Sequence, residues 1–160
     1  MPEEDWKASE IEVLEEADRL TGSIEGPEQL LRRLAEVMRA RIRRFSWVGF
    51  YRLAGDALLL GPHSGRDHPA HFATLTLEKG PQGLAASRGQ TVLMPSLRQD
   101  PRWLDCPVSA ISDIVVPVKE ETTVYGEIDV DSRQANGFDM HDRRFLETLA
   151  QKLVPLFRRY

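Results

Sequence analysis

The chain has 160 residues, 41% hydrophobic and 29% charged, the balance of one globular domain with a sizeable core. A net charge of -4 gives nucleic acid and membrane surfaces no overall attraction, and no apolar run approaches the roughly 20 residues of a membrane span. One cysteine, Cys106, excludes an internal disulfide framework and a cysteine-based zinc site. The opening Met-Pro-Glu-Glu-Asp lacks the basic and apolar regions of a secretion signal, so a soluble cytoplasmic protein is expected.

Apolar residues at Ile11, Val13, Leu14, Ala17 and Leu20 predict an amphipathic helix from Ser9 to Leu20. Pro27 suits the first turn of a second helix, whose stripe is Leu30, Leu31, Leu34, Val37, Met38 and Ile42. Arg39, Arg41, Arg43 and Arg44 crowd its end, where cations match the helix dipole; a solvated helix end is preferred there to a nucleic-acid or partner patch. The apolar stripes are consistent with a homodimer, although core burial explains them equally well.

Ser46 to Leu53 and Ala57 to Leu60 flank a Gly55-Asp56 turn and read as a hairpin. Trp47, Gly49 and Tyr51 share one face of its first strand, and two aromatics about a glycine predict a gap with aromatic walls. Gly61 to Ala70 reads as a polar loop, and His63, His68 and His71 as solvated histidines. A strand follows from Phe72 to Leu77. Next come a short helix over 80–89 with Pro81 at its start and a brief strand from Thr91 to Met94. Gln99 to Ser112 is irregular, carries Trp103 and Cys106, and has the length of a functional lid. Asp113 to Val118 is an apolar strand. Asn136-Gly137 turns the chain, Asp139 caps a last helix, and Pro155 should kink or end it.

The segment Tyr125 to Ser132 organises the rest. Period-two alternation puts Ile128 and Val130 on one face of a strand and Glu127, Asp129 and Asp131 on the other. Carboxylates are costly to bury, so three on one face ask for a counter-charge, a proton or water. A solvated edge strand would supply the water. An anionic pocket for a cation, such as the ammonium of a small amino acid, would supply the counter-charge. Metal binding by these acids with a loop histidine is the weakest alternative, and no metal or cofactor is expected. The element order predicts an α+β domain, an antiparallel sheet of about six strands with helices on both faces.

Trp47 to Tyr51, Gly80 to Gly83, Asp113 to Pro117, Gly126 to Ser132 and Gly137-Phe138 together resemble a GAF domain, and specifically the GAF enzymes that reduce free methionine-(R)-sulfoxide. The resemblance implies a single GAF domain over 1–160, with helix 9–20 as an extension and a core of about 27–155. It also implies a nucleophilic cysteine at Cys106 and ligand-binding acids at Asp129 and Asp131. Asp113 falls in an acidic place usually held by glutamate, and the pocket aromatics fall on Trp47 and Tyr51. Glu127 stands where the family has an apolar residue. The family's other two cysteine positions fall on Phe72 and Gln82, so the internal resolving thiol is missing. Two readings stay open. Either an external thiol reductant resolves Cys106 after it reduces a methionine sulfoxide-like ligand, or the domain is an inactive small-molecule sensor or dimerisation module.

Overall fold

The acidic strand lies in the middle of the sheet. The computed structural model describes residues 5–66, 73–97 and 110–160. Helices α1 (Ala8–Thr21) and α2 (Pro27–Arg41) precede the hairpin β1 (Trp47–Ala54) and β2 (Ala57–Ser64). Then follow β3 (Thr74–Thr76), α3 (Gly80–Arg88), β4 (Val92–Met94), β5 (Ser112–Glu120), β6 (Thr123–Ser132) and α4 (Met140–Arg158). All strand pairs are antiparallel, in the order β3-β2-β1-β6-β5-β4. The predicted α+β class and six-stranded antiparallel sheet are found.

One face of this sheet carries the main core. Val48, Phe50, Ile114, Val116, Val118, Ile128 and Val130 pack with the apolar stripes of α1, α2 and α4. Most of the stripes expected on the first two helices is spent here: Val13, Ala17, Leu20, Leu30, Leu31, Leu34 and Met38 are fully buried, whereas Ile11, expected on the first stripe, is 42% exposed and Val37 is only partly buried. Each of the fully buried side chains larger than alanine contributes roughly 1.5–3 kcal/mol. The opposite face holds a smaller cluster of Trp47, Tyr51, Leu58 and Ala86, the last from α3. Helices therefore cover both faces, as predicted. Asp139 caps α4, its side chain accepting from the Asp142 N–H.

Two local expectations are corrected. The loop expected from Gly61 starts later, because β2 continues to Ser64. Gly49 pairs with His63 and Tyr51 with Leu60, so Phe50 faces both Gly61 and Pro62 across a β-bulge. A bulge is where a strand tolerates proline, which lacks the ladder donor. Pro155 likewise does not end α4, which runs on to Arg158. Buried Leu156 and Phe157 hold the last turn against the core although proline withholds one backbone bond. Among the described residues no helix is long and apolar enough to cross a membrane.

Candidate functional site

Strand register brings the predicted residues together. Alternation along β6 turns Glu127, Asp129 and Asp131 away from the main core, and β1 pairs Tyr51, Gly49 and Trp47 beside them in that order. On the other flank β5 pairs Asp113 with Asp131, Val115 with Asp129 and Pro117 with Glu127. A solvated edge strand is thereby overturned: β6 lies between β1 and β5, and Glu127 and Asp129 are 0% exposed. Asp113 and Asp131 are buried too.

Asp113, Asp129 and Asp131 each offer a carboxylate oxygen within 4.8 Å of the others. At that separation two ionised carboxylates repel by about 3 kcal/mol at an effective dielectric of 20. A proton, a hydrogen-bond donor or a cation relieves such repulsion. The hard oxygens of the trio are also the described atoms best arranged for a divalent cation. No described histidine joins them: His63 stacks on Trp47 instead, with ring centroids 5.9 Å apart.

The neighbouring acids Asp129 and Glu127 are treated differently. Asp129 Oδ2 accepts a hydrogen bond of 2.9 Å from Gln82 Nε2 in the first turn of α3, while Asp129 Oδ1 has no partner among the described residues. Neither oxygen of Glu127 has one. Burial first, and then the Asp129 charge, hold the Glu127 carboxyl well above the usual range, so it keeps its proton. Burial and the same acids push the Tyr51 phenol up as well.

The aromatic wall departs from expectation at one point. A Cβ on Gly49 would lie 2.0 Å from Cη2 of Trp47, so the indole lies across this glycine. The predicted gap is filled by Trp47, and glycine is required beneath it. Sequence reasoning missed His63, which continues that wall, and the role of Gln82 as a donor to Asp129. The proline opening α3 was the available signal for Gln82, since it fixes that residue in the helix's first turn. Cys106, Trp103, Phe72, His68 and His71 lie outside the described residues.

A family model described as GAF domain matches residues 25–154. GAF domain-containing protein A of Dictyostelium discoideum is 29% identical over 138 residues, 84% of this chain and 85% of that protein. The free methionine-R-sulfoxide reductase of Saccharomyces cerevisiae is 34% identical over 110 residues, covering 66% of this chain but 59% of its own length. Among solved structures, free methionine-R-sulfoxide reductase from Neisseria meningitidis in complex with its substrate superposes with a TM-score of 0.84 and 26% identity. That superposition covers 96% of this chain and 92% of the other.

Proposed function

Since this chain belongs to the GAF domain family, we propose that its acidic and aromatic face binds a small amino acid of the methionine sulfoxide kind. The reading further assigns reduction of that ligand to Cys106 with an external thiol. The observation that carries it is the unequal treatment of two neighbouring acids. Asp129 is anchored by Gln82 and keeps a second oxygen for a ligand, whereas buried Glu127 has no hydrogen-bond partner among the described residues. One carboxyl group cannot both hold an ammonium and donate a proton. Here the two tasks fall on two residues whose surroundings differ. Asp129, with Asp131 and Asp113, takes the ammonium. Glu127, neutral, donates to the sulfoxide oxygen. Trp47 and Tyr51 wall the apolar part.

In the reaction the Cys106 thiolate attacks the sulfoxide sulfur while Glu127 gives its proton to the oxygen. The resulting hydroxyl passes from the methionine sulfur to the Cys106 sulfur as the transient sulfur–sulfur bond breaks, so methionine leaves and Cys106 becomes a sulfenic acid. Two equivalents of an external thiol then restore Cys106, releasing water and a disulfide; Glu127 regains its proton from solvent. Relatives named free methionine-R-sulfoxide reductase support this reading.

Calorimetry with free methionine-(R)-sulfoxide tests the binding. Asp129→Asn should weaken it at least 30-fold, about 2 kcal/mol, the loss expected when a charged hydrogen-bond partner is removed. With excess dithiothreitol the protein should consume that compound and Cys106→Ser should not. Binding without turnover would favour the sensor reading, and absence of binding would end the proposal.

A further inference from the structure

The end of β6 borders a second charged region, opposite in sign. A cleft of about 430 Å³ is lined by Arg39, Arg43, Arg44, Ser46, Ser132 and Arg133 among others, and no acidic side chain among the described residues lines it. Arg44 is already committed: it forms an ion pair with buried Asp142 and donates to the Gly137 carbonyl at 3.2 Å. Arg39 is tethered by Nη1 to Ser64 Oγ at 3.2 Å. Arg43 and Arg133 are exposed, and neither forms an ion pair among the described residues.

Elsewhere on this acidic chain many basic side chains find a carboxylate. Arg33 meets Glu25 at 2.7 Å, Arg41 meets Glu12 at 2.8 Å and Lys152 meets Asp18 at 2.9 Å. In the cleft, Arg43 from beyond the end of α2 and Arg133 from beyond the end of β6 converge, and neither shares a carboxylate among the described residues. Each guanidinium is a planar fork of donors that fits the oxygens of a phosphate, and several around one concavity fit a compact polyanion better than a single charge. The volume lies within the range of small-molecule sites, and the net charge of -4 supplies no long-range field for a nucleic acid. We propose that this cleft binds a phosphate-bearing small molecule, held chiefly by Arg43 and Arg133 with Arg39 at the rim. The site is separate from the acidic face and does not depend on the reading given for it.

Calorimetry with inorganic pyrophosphate at low salt is the test. Arg43→Ala with Arg133→Ala removes two exposed charges from the cleft; Arg88→Ala with Arg144→Ala removes two exposed charges elsewhere. Pyrophosphate should bind the native protein, the cleft variant should bind it at least tenfold more weakly, and the control variant should stay within twofold. Unfolding curves of both variants show that they fold. No binding to the native protein, or equal losses in both variants, would overturn the proposal. So would tighter binding of single-stranded oligonucleotides that strengthens with their length, since the occupant would then be a polymer.

Discussion

Two oppositely charged regions meet at consecutive residues, Asp131 and Ser132, and the chain handles their charges in opposite ways. On the acidic face short side chains are fixed by a central strand, sealed from water, and set close to one another. In the arginine cleft Arg39, Arg43 and Arg133 carry their charges into solvent, where repulsion is screened within about 10 Å at 0.1 M salt, and Arg44 is neutralised by Asp142. Repulsion among the arginines therefore costs the fold little. Among the carboxyls it is paid in the dry interior, and the chain answers with a proton on Glu127 and a hydrogen bond to Asp129. The difference shows that charge count alone says nothing of function. Four acids in a buried row and four arginines around an open cleft report quite different demands.

Replacing Glu127 with leucine should sharpen that contrast most. A buried carboxyl with no partner costs roughly 1–3 kcal/mol, so Glu127→Leu should raise stability by about 2 kcal/mol in urea unfolding at pH 7. Methionine sulfoxide binding should fall in the same variant, a trade of function for stability. The pH dependence has a definite sign. Because the folded carboxyl holds its proton above the ordinary value of 4.5, the unfolded chain releases that proton first as pH rises. Stability is fully present below about pH 4.5 and is lost above it, until folded Glu127 itself ionises. The slope from this group is at most about 1.4 kcal/mol per pH unit. The difference between native and Glu127→Leu curves should carry that slope, and parallel curves would mean that Glu127 is charged or solvated.

Gln82→Ala should have the next largest effect, in the opposite direction. It leaves Asp129 Oδ2 buried without its donor, a loss of about 1–2 kcal/mol. Should Gln82→Ala prove neutral, Asp129 must be satisfied in some other way, and the division of labour between the two acids loses its anchor.

Much of this was legible in the sequence, for local reasons. Helical stripes gave α1 and α2, the Gly55-Asp56 turn gave the first hairpin, and period-two alternation placed the three β6 acids on one face. What stayed hidden depends on contacts between distant segments. Nothing near Trp47 says that its ring covers Gly49, and nothing near Pro62 says that a bulge opposite Phe50 makes room for it. Gln82 lies 47 positions from Asp129, and only the packing of α3 against the sheet makes one the donor to the other. The basic run at the end of α2 was visible, but its convergence with Arg133 required the end of β6 to arrive beside it.

Ser46 joins the two regions, and its removal should have the smallest effect. Its backbone N–H and its hydroxyl both donate to the Asp131 carbonyl, at 2.8 and 3.0 Å, while the residue itself lines the arginine cleft. Ser46→Ala deletes the hydroxyl bond and keeps the backbone one, a loss of about 1 kcal/mol in unfolding experiments. The Asp131 backbone remains held by its pairing with Trp47 and Asp113, so its carboxylate should keep its place. Calorimetry on Ser46→Ala should then find affinities for methionine sulfoxide and pyrophosphate each within about threefold of native. A tenfold loss at both sites would mean that Ser46 couples them, and that the basic and acidic regions act as one unit.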